Sequence, residues 1–346
     1  TFSMYNGRTS PFYTEIDFCR SNKALESCFK LSAEMLLNTK FSAKSIATEK
    51  GVIKQELVRK LNNPDAISYF TFLRAVSSKY NSNTVVLGSE EEIEQVSAKP
   101  LKKFKEETFI SQNFIITIEG GISFHKAKRL AEKYFISKLK SNPRYPVDKN
   151  ITNKIDREGN LNIENFPFNK SNCRLCIKLD KALESMETDN LASMLCSVCN
   201  SLNGKLTSKL RDNGLVYSVN MWADCIPSNY TIGINFGCSS DNVNKVITKV
   251  GELFEELRTT PVEQTIIEKI KQNRKLSKDE RIRNIYPSSL FREYLCYGDI
   301  ILSRKYKKES KKFYEQITPE QLQTFCQKVF SSPENDYAAI LTDSTP

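Results

Sequence analysis

The sequence predicts an α+β protein of two homologous domains, each a mainly antiparallel sheet with helices packed on one face. Three observations lead there. Amphipathic helical runs and short apolar strands are mixed without the regular strand–helix alternation that builds a parallel sheet. A polar stretch over residues 140–167, with Pro143, Pro146, Gly159 and Pro167, interrupts the pattern. After it a similar order of strands and helices begins again. Domains are therefore expected at 1–142 and 168–346, with a linker at 143–167.

Taken in order, Tyr13 to Arg20 reads as a strand. A helix from Asn22 to Asn38 follows, with Leu25, Cys28, Phe29, Leu31, Met35 and Leu36 in helical spacing. A second helix runs from about Ser42 to Asn62 and stops at Asn62-Asn63-Pro64, because a proline biases its predecessor away from helix. Asp65 to Lys79 is a third. Ser89 with Glu92 makes a capping box, and Lys99 to Glu107 is a further short helix. Phe114 to Ile118 is apolar enough for a buried strand, turned by Gly120-Gly121 into a helix over Phe124 to Leu139. That Gly-Gly pair reads as a plain turn, since the third glycine and the Lys-Ser/Thr of a phosphate loop are missing.

Beyond the polar stretch, strands are expected at Cys173 to Leu179, Val216 to Trp222, Tyr230 to Gly237 and Tyr337 to Leu341. Helices are expected at Thr188 to Leu202 and Val243 to Leu257. Thr260-Pro261-Val262-Glu263 and Thr318-Pro319-Glu320-Gln321 both have the form of a capping box with proline at the first helical position. They open helices to about Lys278 and to Val329.

Composition narrows the function classes. No apolar run approaches the ~18 residues that cross a bilayer, so no membrane partner is expected. The 51 Lys and Arg against 41 Asp and Glu leave a net charge of +10. The basic residues are scattered in short clusters such as Lys102-Lys103, which reads as a solvated surface; no nucleic-acid-binding module is present. Ten cysteines at irregular spacing read as reduced thiols in a cytoplasmic setting, not a disulfide framework. The chain opens on Thr1 and shows no signal peptide, so a fragment or a processed form is expected, and a mitochondrial setting stays open.

Three constellations could carry chemistry. Cys173-x-x-Cys176 and Cys196-x-x-Cys199 have the spacing of a four-cysteine zinc site. In a strand, however, residues three apart point to opposite faces, and in an apolar helix cysteine is an ordinary core residue. No zinc is expected there. His125 is the only histidine, so these 346 residues make neither a hydrolase triad nor a histidine-rich metal site.

In the second helix, Glu49 and Glu56 are seven residues apart, hence about 20° apart around the axis and roughly 10 Å along it. They share a stripe flanked by Val52 and Ile53, which would make their ionisation costly without a nearby cation or donor. Third, Ser208 to Val219 places Arg211 and Tyr217 on either side of a glycine turn that enters a strand. Both are donors suited to a polarised carbonyl or a developing oxyanion.

Together these residues resemble the M16 family of zinc metallopeptidases, the pitrilysin, insulinase and mitochondrial-processing-peptidase group. Asn6-Gly7-Arg8-Thr9, with Thr14 five residues on, resembles the family's Asn-Ala-x-Thr strand element. Glu49 and Glu56 match its paired glutamates. Gly88-Ser89 with Glu92 and Ile93, Phe114 to Phe135, and Leu206 to Val219 are similar to later segments, so the resemblance spans essentially the whole chain. Gly7 stands where the family has Ala, and Arg211 and Tyr217 are one residue closer than its usual spacing. The inverted motif His-x-x-Glu-His, which supplies two ligands and the general base, is absent; it would lie about 20 to 25 residues ahead of Thr1.

The resemblance implies a zinc-dependent metalloendopeptidase that hydrolyses peptides or unfolded segments in an interdomain chamber, here truncated before its motif. It implies Glu56 as a metal ligand, Glu49 as a supporting acid, and Arg211 and Tyr217 as catalytic and substrate-binding residues, with Asn6 also substrate-binding. It implies Zn2+ as cofactor and a homo- or heterodimer with another M16 chain. The alternative is a non-catalytic subunit that binds peptide beside an active partner. As given, the 346 residues are expected to bind zinc poorly and to cleave nothing.

Overall fold

The computed structural model describes residues 4–9, 14–76, 86–118, 120–142, 161–166, 171–179, 183, 185–201, 204–226, 229–281, 300–330 and 336–343. They divide into two compact units. One draws on Thr1–Arg59, Thr84–Ile151 and Arg281–Ile300, the other on Lys60–Asn83, Thr152–Glu280 and Ile301–Pro346. Among the described residues no helix is long and apolar enough to cross a membrane.

The first unit opens with an antiparallel hairpin, β1 (Met4–Thr9) and β2 (Thr14–Cys19), in which Asn6 faces Asp17. Helix α1 (Leu25–Leu37) buries Cys28, Phe29, Ser32 and Ala33. Leu31 and Met35, expected on the core stripe, are exposed instead, because the stripe is centred on Phe29 and they fall outside its arc. Phe29 meets Phe135 edge-on at 6.2 Å, from the end of α6 (Phe124–Ala131) and the wider turn Glu132–Ile136 that continues it.

Phe114 to Ile118 is not a strand. Phe114, Ile116 and Ile118 pack on the Phe29–Phe135 core with strand-like alternation, but among the described residues none forms a ladder with them. Alternation in the sequence reports which side chains are buried. A strand also needs a neighbour to take its N–H and C=O groups.

Helix α2 (Ala43–Leu61) and α3 (Pro64–Val76) meet at the expected break. Asn63 caps α3, its Oδ1 accepting from the N–H groups of Asp65 and Ala66. The remainder of the predicted helix, to Lys79, lies outside the described residues. Ser89 and Glu92 form the expected capping box at the start of α4 (Glu90–Gln95), and α5 (Ala98–Thr108) follows.

The second unit is built on a five-stranded sheet of order β3-β7-β4-β6-β5: β3 (Leu161–Phe166), β4 (Ser171–Lys178), β5 (Ser218–Ile226), β6 (Asn229–Cys238) and β7 (Asp336–Asp343). In this sheet β3 and β7 run parallel and the other described neighbours antiparallel. Leu161–Phe166 was expected in the linker; pairing with β7 makes it a strand, and residues 143–160 and 167 lie outside the described ones.

One face of the sheet is apolar with period two: Cys173, Leu175 and Ile177 on β4, Ile232, Ile234 and Phe236 on β6, Val219, Met221 and Ala223 on β5. Against it pack α7 (Met186–Asn200), α8 (Val243–Thr259), α9 (Gln264–Arg281), α10 (Ile300–Gln316) and α11 (Pro319–Val329). Helix α10 has no counterpart in the sequence reading, its run of lysines hiding a buried Tyr314. The box at Thr318 forms as expected. The one at Thr260 does not, and α9 begins three residues later than predicted. Thr260 is extended and gives its N–H to Glu256 as the end of α8, while Val262 is buried in the core; the chain cannot turn into helix until both are satisfied.

Candidate functional site

Glu49 and Glu56 lie on one flank of α2, whose buried residue is Leu57. Glu49 is exposed and the Glu56 side chain is 39% exposed, with the Arg59 guanidinium 3.8 Å away. Val52 is itself 54% exposed and does not shield them, so the apolar surround expected for this pair is absent on that side. The inner flank is held by lysines: Lys54 contacts Glu90, at 3.0 Å, and Glu94 of α4, and Lys50 reaches the Glu94 carbonyl. Asn6 is exposed on β1.

Zinc at a catalytic site takes three protein ligands. Glu56, half-buried with the Arg59 guanidinium 3.8 Å away, has the carboxylate chemistry of one oxygen ligand. Among the described residues no three His, Cys, Asp or Glu side chains come together to complete a set.

The cysteine pairs behave as strand and helix geometry requires. Cys173 joins the core while Cys176, buried on the same strand, does not. Burial pushes the Cys196 thiol up to about 12 and raises Cys199 further. These are inert core thiols, and no disulfide joins the cysteines whose side chains are described.

The Arg–Tyr segment is the best organised part. Gly204 begins it where any Cβ would lie 2.4 Å from the Cys199 carbonyl. Leu206 and Leu210, both fully buried, anchor one wide helical turn, Thr207–Arg211, whose i→i+5 bond from Asp212 to Thr207 is 3.0 Å. Such turns bulge a helix and re-aim its side chains. Glu256 of α8 ties the segment down, pairing with Lys205 and with Lys209 at 2.7 Å. Hydrogen bonds from Lys205, then Lys209, hold the Glu256 carboxyl below the usual carboxylate range. Arg211 is exposed at the end of the turn, and Gly214 reverses the chain at φ +68°, a conformation glycine adopts without strain.

Tyr217 follows, 47% exposed. Its N–H donates to the Gly237 carbonyl at 3.0 Å, and its Oη lies 3.2 Å from Asn172 Oδ1 on β4. A Cβ on Gly237 would sit 2.2 Å from that Oη, so the ring lies directly on the β6 backbone. Trp222 covers Gly233 in the same way. Both aromatics thus lie on the face turned away from the apolar core, with Asn172 and Arg174; the Arg174 guanidinium stacks 5.3 Å from the Tyr69 ring of α3.

Sequence reasoning placed Arg211 and Tyr217 around one turn and missed Asn172 and Gly237. A signal existed. Gly233-Ile-Asn-Phe-Gly237 sets two glycines on one face of a strand, which marks a close approach by something else.

Comparison with known proteins agrees with this architecture. The profile of the Peptidase M16 inactive domain matches residues 95–274, more than half of the chain. An uncharacterized zinc protease of Rickettsia bellii is 28% identical over 137 residues, 39% of this chain but only 32% of that protein. The mitochondrial-processing peptidase subunit beta of Caenorhabditis elegans is 22% identical over 356 residues, 95% of this chain and 71% of the relative. In three dimensions the chain is similar to a protease from Helicobacter pylori, with a TM-score of 0.82 at 18% identity, over 98% of this chain and 82% of that one.

Proposed function

Because this chain belongs to the M16 peptidase family, we propose that it is the peptide-holding part of a zinc metalloendopeptidase of that family, acting on peptides or unfolded segments. Arg211 and Tyr217 present donors to the substrate backbone, and Asn6 contributes from β1. Glu56 serves as one oxygen ligand of the zinc, Glu49 supports it, and the two histidine ligands come from outside these 346 residues. Zinc, when bound, polarises a water or a peptide carbonyl. The observation that carries the reading is Tyr217 laid over Gly237, just after the turn that carries Arg211. An exposed phenol and an exposed guanidinium, each set by main-chain geometry, suit the carbonyls of an extended peptide.

In a second reading the chain is a non-catalytic subunit that lends its peptide-holding sheet to an active M16 partner. The C. elegans relative, named as one subunit of a processing peptidase, supports pairing with a second chain.

The test is to titrate the chain with reduced, carboxymethylated casein peptides, with and without Zn2+. Binding is expected, weakened several-fold by Arg211→Ala and by Tyr217→Phe, with no hydrolysis by the chain alone. Mixing with a chain that carries His-x-x-Glu-His separates the readings. Chelator-sensitive cleavage lost in Glu56→Gln supports the first, and cleavage indifferent to that substitution supports the second. Chelator-sensitive hydrolysis by the 346 residues alone would overturn both.

A further inference from the structure

The face that carries Tyr217 holds a polar group with an unmet need. Asn172 is 4% exposed, and with Oδ1 turned to Tyr217 its Nδ2 has no hydrogen-bond partner among the described residues. A buried amide N–H without an acceptor loses its hydrogen bond to water and gains nothing in return. The two ends of the amide have nearly the same shape, so rotation by 180° about Cβ–Cγ exchanges them within one envelope. In the exchanged orientation Nδ2 donates to Tyr217 Oη, and the group left over is a carbonyl oxygen, which tolerates under-satisfaction better than a donor does.

The exchange decides what the tyrosine can do, because a phenol has one proton. If Asn172 accepts, that proton is given to Asn172. If Asn172 donates, the proton is left for another acceptor. We infer that Asn172 is a positioning residue that donates through Nδ2 to Tyr217 Oη and so holds the phenol as a hydrogen-bond donor toward a peptide carbonyl. The inference rests on the reading of Tyr217 as a peptide-holding residue.

Two further features keep the pair in register. Asn172 and Gly237 face each other across the β4–β6 ladder, so the missing Cβ opens the space the ring occupies beside the amide. The Tyr217 N–H bond to the Gly237 carbonyl fixes the backbone from which the ring departs. The next residue along β4 on this face is Arg174, and it is retained in every variant below.

The experiment is a pH titration of the Tyr217 phenol, read from 13C-tyrosine labelled at Cζ, with the resonance assigned by its loss in Tyr217→Phe. Donation by Asn172 stabilises the phenolate; acceptance stabilises the phenol. In Asn172→Leu, which keeps the branched shape and removes both polar groups, the Tyr217 midpoint is expected to rise by about half a pH unit or more. A midpoint that falls or stays put would overturn the inference. Asn172→Ala, which adds no bulk to the sheet, must shift in the same direction, so a Leu variant that fails to fold leaves the question decidable.

A parallel casein-peptide titration of the same variants judges the underlying reading. Weakening by Asn172→Leu comparable to Tyr217→Phe, with no further loss in the double variant, supports both. A midpoint that rises while the unaltered chain binds no peptide upholds the Asn172–Tyr217 polarity and overturns the role of Tyr217.

Discussion

At the scale of single residues, the geometry around Tyr217 depends on what Gly237 lacks. A methyl group there would drive into the phenol, and the ring would have to lift off β6 and away from Asn172. Gly237→Ala is therefore expected to destabilise the chain by about 1–3 kcal/mol, as overpacking does. It should also weaken peptide binding as much as Tyr217→Phe. Urea unfolding and the peptide titration check the two parts separately, and a variant of undiminished stability and affinity would mean the ring does not rest there. Glu49 and Glu56 stand out in the sequence by type and spacing, and Asn6 through the family resemblance alone. Asn172 could not, because its part depends on a hydrogen bond to a residue 45 positions away across two strands.

Among the elements, the turn carrying Arg211 is steadied by Glu256, which reaches from α8 to Lys205 and Lys209. The folded-state Glu256 carboxyl is held below its ordinary range by those two donors. Its contribution to stability is thus present above the unfolded carboxylate pKa, about 4.3, and is lost as pH falls through the lower folded value. Glu256→Gln is expected to lower stability at pH 7 by at most about 1 kcal/mol, since the pair is partly solvated. The gap between the two proteins should close as the solution is acidified below pH about 4. A gap that persists at acid pH would show that packing, not charge, sets the difference. The same scale explains the misplaced start of α9. Thr260-Pro261-Val262-Glu263 has the composition of a capping box, but Thr260 already ends α8 and the core claims Val262.

For the molecule as a whole, stability in the second unit comes from the layer of helices on the sheet. Leu253 of α8 is fully buried at its centre, so Leu253→Ala should cost about 2–5 kcal/mol in chemical unfolding. A cost below 1 kcal/mol would mean that the helices slide to close the cavity. The alternation of apolar residues along β4, β5 and β6 was legible because burial on one face leaves a period of two that depends on nothing distant. The helices were legible from their stripes and caps for the same reason. By itself, then, the amino-acid order determined the α+β class, most element positions, the opposite facing of Cys173 and Cys176, and the residues of the Arg–Tyr turn. Only the tertiary structure decided that Leu161–Phe166 is a strand and Phe114–Ile118 is not, that Glu49 is exposed and Glu56 half-buried beside an exposed Val52, and that Tyr217 rests on Gly237 against Asn172. Each of these turns on a partner brought in from far along the chain, and local periodicity carries no record of which partner arrives.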